Sequence, residues 1–279
     1  MQMNRMKFSR GLVTLVAILA ACVILAHAEE TQASSDQALE LAKQLANPIA
    51  SLISVPVQYN YDKYGGASDG ASVSSLNIQP VIPLSLSEEW LVITRTIVPL
   101  VDQSGFPLDA MNKSGLGDIT ASQFFSPKAS GPFGLIWGVG PVELLPTASD
   151  KALGGEKWGL GPTAVMLKQE GPWTIGFLGN HIWSVAGHDD RADINATFLQ
   201  PFVSYTTKTK TTIGLVTEST YDWKAKQWSV PVIPGVQQLF KIGPQIMQLS
   251  VFGKYWAESP DNGPKDWGLR VQLTFVFPK

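Results

Sequence analysis

Cysteine, histidine and charge are all scarce in this chain. One Cys and three His among 279 residues exclude a disulfide framework and a thiolate zinc site. Charged residues make up 16% of the chain, against roughly 25% in an ordinary soluble domain. A formal net charge of −2 without a basic cluster argues against a nucleic-acid-binding protein. Aromatic residues are plentiful instead, since nine Trp, 12 Phe and six Tyr provide too much apolar surface for disorder.

The sequence has one long apolar run, and it stands at the N-terminus. Three basic residues precede an uncharged stretch at 11–25, and an A-x-A site ends at Ala28. A spanning helix needs roughly 20 apolar residues, so the shorter run predicts a secretory signal peptide at 1–28. Cys22 closes a bacterial lipoprotein box, which leaves lipidation there as an alternative. The apolar run continues to Leu25, and this favours cleavage after Ala28.

The first segment after the predicted cleavage site has a helical pattern. Ala38, Leu41, Ala42 and Leu45 recur at helical spacing within 36–47, and this predicts one amphipathic helix. Asp36 or Ser35 can cap its start, and Pro48 ends it.

From residue 51 onward the hydrophobic period becomes two, as in strands with one apolar and one polar face. Soluble strands average 5–6 residues, whereas a tilted strand that crosses a bilayer needs about 9–11. The sequence predicts twelve strands of about 11–14 residues, longer than either norm requires. They are expected at 51–62, 73–86, 90–102, 116–126, 133–146, 158–169, 173–186, 194–206, 211–222, 227–240, 244–257 and 267–277.

The predicted connections alternate in length. Those after the even-numbered strands are short, whereas those after the odd-numbered strands are mostly longer and more polar. Short turns at one rim and long loops at the other are typical of outer-membrane barrels. If the chain starts in the periplasm, the short turns lie there and the long loops lie outside.

Most of the tryptophans fall near predicted strand ends, and only Trp137 falls mid-strand. Trp and Tyr prefer the lipid–water interface and form girdles at both rims of a membrane barrel. The predicted aromatic girdle consists of Trp90, Trp158, Trp173, Trp183, Trp228, Trp256 and Trp267.

Polar residues that alternate with the apolar ones are expected to line the lumen. A lipid-facing Arg or Lys at the bilayer midplane costs about 2–4 kcal/mol, so Arg95, Lys254 and Arg270 should point inward. These side chains could select a solute, or form a structural network with Glu218 that plugs the barrel. The predicted lumen-lining residues are Gln58, Asn60, Asn77, Gln79, Arg95, Gln123, Glu218, Gln248, Lys254, Arg270 and Gln272.

Several stretches resemble a bacterial outer-membrane family described as "MetA-pathway of phenol degradation" and labelled as transporters. They include LAKQLANPIASLISVPVQYNYD at 41–62, SGLGDI at 114–119, and GVGPVELLPTASDKALGGEKWGLGPTAVML at 138–167. Others are WSVPV at 228–232, LFKIGPQ at 239–245, and WGLRVQLTFVFPK at 267–279. The resemblance implies an outer-membrane barrel that transports small, hydrophobic or aromatic molecules. It supplies no catalytic residues.

Enzymatic and metal sites have weak support in the sequence. His181 and Ser184 differ by three positions, so they face opposite sides of a strand, and this disfavours a lipid hydrolase. His188, Asp189, Asp190 and Asp193 could bind a hard cation, but a solvated loop is the simpler interpretation. We therefore expect no catalytic residue, no metal and no cofactor.

The sequence thus predicts an all-β, transmembrane, antiparallel up-and-down β-barrel of about twelve strands. Its expected parts are a signal peptide at 1–28, a segment with a short helix at 29–50, and the barrel at 51–279. The expected function is passive transport of a small molecule across the outer membrane of a Gram-negative bacterium. A non-conducting structural or adhesive barrel is the alternative. Expected partners are outer-membrane lipid, the barrel-assembly machinery and an unidentified small-molecule solute, with no nucleic acid.

Overall fold

The computed structural model describes residues 32–277. The predicted signal peptide, its cleavage site and Cys22 lie outside these described residues. One helix, α1 (Gln32–Leu45), precedes fifteen strand segments. These are β1 (Ile53–Tyr64), β2 (Ser72–Ile78), β3 (Val81–Ser85), β4 (Trp90–Ser104), β5 (Ser114–Leu116), β6 (Ile119–Pro127), β7 (Leu135–Leu145), β8 (Lys157–Glu170), β9 (Trp173–Gly187), β10 (Asn195–Thr206), β11 (Thr211–Thr217), β12 (Ser219–Asp222), β13 (Gln227–Ile242), β14 (Gln245–Glu258) and β15 (Pro264–Phe277). Within 32–277, no helix is both long enough and apolar enough to cross a membrane.

The strand segments form one closed antiparallel barrel. Neighbouring strands along the chain pair with each other, and the barrel closes where β1 pairs with β15, from Ile53 opposite Phe277 to Tyr64 opposite Pro264. Three pairs of segments, β2 with β3, β5 with β6, and β11 with β12, each make up one interrupted strand. The barrel therefore has twelve strands, and the predicted fold class is confirmed.

The sequence predicts each of these interrupted strands as continuous, and each interruption has a local cause. Pro80 lacks the N–H that a strand pairing needs, although Thr96 N–H still donates to its carbonyl at 3.2 Å. Asp118 leaves the sheet, because its carboxylate accepts hydrogen bonds from the Ala148 and Gly155 N–H groups at 3.1 and 2.6 Å. Glu218 separates β11 from β12 and pairs across the lumen with Arg270.

The two rims of the barrel differ as expected. We call the rim with connections 86–89, 128–134, 171–172, 207–210 and 243–244 the turn end. The opposite rim, with connections 65–71, 105–113, 146–156, 188–194, 223–226 and 259–263, is the loop end. Arg191 joins two of the longer loops, since its guanidinium donates to Lys151 O at 2.9 Å and pairs with Glu156 at 3.3 Å.

Side chains alternate between a buried inner face and an exposed outer face. In β8, Thr163, Val165 and Leu167 are almost fully buried, whereas Leu160 and Met166 are exposed. Large exposed apolar side chains recur in this way on most strands, among them Ile175, Ile213, Val236 and Val251. Such a continuous apolar outer surface is typical of a barrel in lipid.

Helix α1 ends against the turn end of the barrel. It begins by Gln32, so Ser35 and Asp36 lie inside the helix and do not cap it. Ala42 is fully buried, and Leu41 and Leu45 pack with Ala50, Leu52 and Val276. The predicted apolar stripe therefore has a partner in the rim of the barrel, which the sequence does not identify.

Candidate functional site in the barrel lumen

The lumen contains two cavities along its axis. The loop-side cavity has a volume of about 470 Å³, and the turn-side cavity has a volume of about 210 Å³. The two share a polar layer, which consists of Gln58, Gln79, Arg95, Gln200, Glu218 and Arg270. A solute that crosses the barrel along its axis therefore has to pass this layer.

An ion pair inside the lumen, within the polar layer, joins two strands that are not neighbours in the barrel. Arg270 donates from both terminal nitrogens to the two Glu218 oxygens, at 2.8 and 2.6 Å. Its Nε donates to Asn60 Oδ1 at 2.8 Å. A bidentate guanidinium–carboxylate pair fixes both side chains in one geometry. It links β15 to the strand formed by β11 and β12, and it narrows the passage between the cavities.

A second ion pair lies closer to the loop end. Lys254 Nζ contacts Asp62 Oδ2 at 2.7 Å, and Trp256 Nε1 donates to Asp62 Oδ1 at 2.8 Å. The Lys254 ammonium also lies 5.2 Å from the centre of the Trp256 ring, within the range of a cation–π interaction. Both charges are therefore satisfied inside the barrel.

Arg95 is the cation of the lumen without a carboxylate partner. Its Nη2 donates to Gln79 Oε1 at 3.2 Å, and within 32–277 it forms no ion pair. The charged residues that line the two cavities are Asp62, Arg95, Glu218, Lys254 and Arg270. Because each carboxylate already has its own cation, the excess charge of this set is the positive charge on Arg95.

One side of the loop-side cavity carries its apolar side chains, with Thr120, Ser122 and Asn180 interspersed among them. The apolar residues belong to β4, β6, β9 and β10 and are Ile97, Phe124, Leu178, Ile182, Ala196 and Phe198. Phe124 and Leu178 are 1% and 3% exposed, so they are packed in place. The opposite wall, on β1, β14 and β15, carries Asn60, Asp62, Lys254 and Arg270.

The segment after helix α1 enters the lumen from the turn end. Ile49 is 3% exposed and packs with the inward-facing Ile93, Phe124, Val165, Leu167 and Leu178. Residues 44–48 line the turn-side cavity, and Gln169 Nε2 donates to the Lys43 carbonyl at 2.8 Å. This segment and the last two residues of the helix therefore occupy part of the barrel opening.

The predicted lumen residues can now be placed. Those that line a cavity are Gln58, Asn60, Asn77, Gln79, Arg95, Glu218, Gln248, Lys254, Arg270 and Gln272. Gln123 does not line either one. It lies opposite Thr94 and between the inward-facing Ser122 and Phe124, so it faces outward. The prediction that Gln123 lines the lumen is wrong. In β6 the apolar Phe124 faces inward, so the polar Gln123 beside it faces outward.

Sequence reasoning missed several residues of the lumen. Asp62 continues the inward parity of Gln58 and Asn60, so the strand pattern contains the signal that could have found it. Gln200 shares the inner face of β10 with Phe198 and Phe202. Because these two residues are apolar, the sequence does not mark this face of β10 as the one that lines the lumen. Phe124 and Phe198 have no polar signature that marks them as lumen residues.

The predicted girdle tryptophans fall at both rims, with one exception. Trp158, Trp183 and Trp267 are exposed at the loop end, where Trp228 packs on Tyr221. Trp90 and Trp173 lie at the turn end. Trp137, expected mid-strand, is the third residue of β7 and lies 6.0 Å from Trp90 between ring centroids. Trp256 is the exception, because it points inward to Asp62.

The candidate enzymatic and metal-binding residues are not assembled into such sites. His181 Nδ1 lies 2.7 Å from Thr197 Oγ1, whereas Ser184 Oγ donates to Asp193 at 3.3 Å. His188 and Asp190 are exposed and 3.9 Å apart. In the part of the chain that the structure describes, no group of three or more His, Cys, Asp or Glu is placed to hold a metal.

Asp193 instead joins the loop end to two lysines. Lys157 Nζ and Lys224 Nζ lie 3.3 and 3.4 Å from its carboxylate oxygens. The hydrogen bond from Lys157, followed by that from Lys224, holds the pKa of Asp193 below its usual value. This carboxylate therefore stabilises the loop at 188–194 in its charged form.

A closed barrel with an apolar belt, aromatic rims and a polar lumen defines the class of outer-membrane β-barrels. No model of a known protein family matches this chain, and no curated protein matches it. Among solved structures, it is similar to an outer-membrane channel from Pseudomonas putida F1, with 17% identity and a TM-score of 0.62 over 81% of this chain and 96% of that one. This similarity shows a shared fold.

Two other solved structures are less similar to this chain. The β-domain of the Bordetella autotransporter BrkA is 11% identical and gives a TM-score of 0.41, over 81% of this chain and 100% of that one. A mutant Rh. blastica porin is 10% identical and gives a TM-score of 0.27, over 81% of this chain and 99% of that one.

Proposed function

We propose that this protein is a passive channel for small molecules in the outer membrane of a Gram-negative bacterium. The observation that carries the proposal is the pair of lumen cavities that meet at one polar layer. A barrel that served only as a structural or adhesive element would not need a chemically divided interior of this size. The similarity to a solved outer-membrane channel supports the same function.

The orientation follows from the two rims. With the short turns in the periplasm and the longer loops outside, a solute would enter the loop-side cavity first. It would then cross the polar layer and leave past the segment that holds Ile49. Outer-membrane lipid would contact the apolar belt, and the barrel-assembly machinery would insert the protein.

The alternative is a non-conducting barrel, and two observations favour it. The Arg270–Glu218 pair lies in the polar layer between the two cavities, and Ile49 packs inside the turn end. If neither contact breaks, the lumen is closed to solutes.

Liposome swelling separates the two functions. Purified protein is reconstituted into liposomes loaded with dextran, and swelling is followed in isotonic solutions of sugars and amino acids of increasing size. If the protein is a channel, the swelling rate falls as the solute becomes larger. Arg95→Ala then changes the swelling rate, because the substitution alters the polar layer. Swelling at the rate of empty liposomes, for both the wild type and Arg95→Ala, would favour the non-conducting barrel.

A further inference from the structure

The loop-side cavity combines two kinds of chemistry within one space. Phe124, Leu178, Ile182 and Phe198 supply an apolar wall, and the polar wall includes two ion pairs. Its volume of about 470 Å³ falls within the roughly 300–1,000 Å³ of small-molecule sites. Such sites combine apolar side chains with placed polar groups. Most of the residues that line this cavity are polar, and its apolar side chains form one patch among them.

The charges in the cavity specify what kind of ligand fits. Asp62 is held by Lys254 and Trp256, and Glu218 is held by both terminal nitrogens of Arg270. Arg95 uses one of its five donors on Gln79, and within 32–277 no carboxylate pairs with it. A ligand with one negative charge would balance this guanidinium. A neutral ligand would leave it unpaired, and a cation would be repelled by it.

Arg95 lies next to the apolar side chains of the cavity. It pairs with Ser122 across β4 and β6, so Phe124, two residues further on the same face, is its diagonal neighbour, with Cα atoms roughly 7–8 Å apart. A small acid whose apolar part is attached directly to its carboxyl group can therefore contact both the guanidinium and this apolar surface.

We propose that the loop-side cavity binds a small monocarboxylate with an apolar body of aromatic size. The carboxylate lies on Arg95, and the body packs against Phe124 and Phe198. The proposal deepens the channel function, on which it rests for the route by which the ligand reaches the cavity.

Binding of benzoate to the purified full-length protein in detergent tests the proposal. Benzyl alcohol, which has the same ring without the charge, is the matched probe, and calorimetry measures both. Benzoate should bind more tightly than benzyl alcohol. Arg95→Gln should weaken benzoate binding about tenfold or more, because a bidentate charge-assisted contact is lost, and should leave benzyl alcohol binding unchanged.

Two further variants complete the design. Lys168→Gln removes a cation from the outer face, where Lys168 pairs with Glu170 at 2.7 Å, and it should leave benzoate binding unchanged. Arg95→Lys keeps the charge but loses the two-pronged geometry, so it should give an intermediate loss. Assembly of each variant is judged by heat-dependent migration on a gel. If Arg95→Gln does not assemble, Arg95→Lys still tests the proposal.

Ion conductance of the same samples in planar bilayers keeps the two proposals apart. The wild type could conduct and yet bind benzoate no better than benzyl alcohol, or bind it equally well without Arg95. Either result would overturn the proposed binding site and leave the proposed channel function standing. A wild type that does not conduct, but binds benzoate through Arg95, would support the binding site and contradict the channel.

Discussion

Replacing Glu218 with Gln tests the ion pair that crosses the lumen. The substitution removes the negative charge that Arg270 contacts at 2.8 and 2.6 Å and keeps the shape of the side chain. The Arg270 side chain is 7% exposed and that of Glu218 is 28% exposed. Removing one partner of a buried pair costs about 3–5 kcal/mol, because the remaining charge stays buried. Since Arg270 keeps Asn60 and borders two cavities, we expect a loss of about 2–3 kcal/mol.

A double variant separates the loss of the pair from the effect of the charge that is left unpaired. Arg270→Gln in the Glu218→Gln background removes that charge, so the double variant should be more stable than Glu218→Gln alone. Glu170→Gln is the matched control. Its partner, Lys168, also lies at 2.7 Å, but both side chains are exposed, and exposed pairs contribute little to stability.

Equilibrium unfolding by urea in detergent, followed by Trp fluorescence, measures all four proteins. Glu218→Gln should lower the free energy of unfolding, the double variant should recover part of the loss, and Glu170→Gln should match the wild type. Equal losses in Glu218→Gln and Glu170→Gln would refute the reasoning, since the buried and exposed pairs would then contribute alike.

Three other substitutions or conditions probe separate parts of the barrel. Ile49→Ala should raise conductance in planar bilayers, because the truncated side chain leaves a gap among the residues it contacts in the turn end; unchanged conductance would show that this segment does not restrict the pore. Gly161→Ala should prevent assembly, measured by heat-dependent migration on a gel, because the added Cβ would clash with the His181 backbone oxygen, whereas Gly171→Ala in the open turn should assemble less impaired. The lowered pKa of Asp193 means that its stabilising contribution is present above the ordinary Asp pKa of about 3.9 and is lost as the pH falls through the lowered value. The free energy of unfolding in urea should therefore fall more on acidification through that range in the wild type than in Asp193→Asn, and an equal fall in both would show that Asp193 does not stabilise the loop.

The sequence contains most of the fold, because a membrane barrel repeats one simple pattern. Side-chain alternation in segments such as 53–64 and 264–277, together with excess strand length, was enough to predict the closed twelve-stranded barrel. Turn and loop lengths were enough to predict the two rims. The interruptions near Pro80, Asp118 and Glu218 were not predicted, since two of them depend on side-chain contacts with distant parts of the chain.

The lumen was harder to predict than the barrel. Polar-inside parity placed Arg95, Lys254 and Arg270 inward, because a charge in lipid is costly. The same rule misplaces Gln123, because Phe124 occupies the inner face of β6. The girdle rule, which uses the position near a strand end, misplaces Trp256, because its indole donates inward to Asp62. Sequence patterns also give no information on which cation pairs with which carboxylate. That no carboxylate of residues 32–277 lies within ion-pair distance of Arg95 becomes visible only when Glu218 is placed on Arg270.

Single-channel recording in planar bilayers measures whether the lumen conducts. The purified wild type should insert and give discrete conductance steps that are reproducible between insertions, and Ile49→Ala should give larger steps. Correctly assembled wild type and Ile49→Ala that both insert without any conductance would contradict the account, because the lumen would then be closed even without the side chain that fills its turn end.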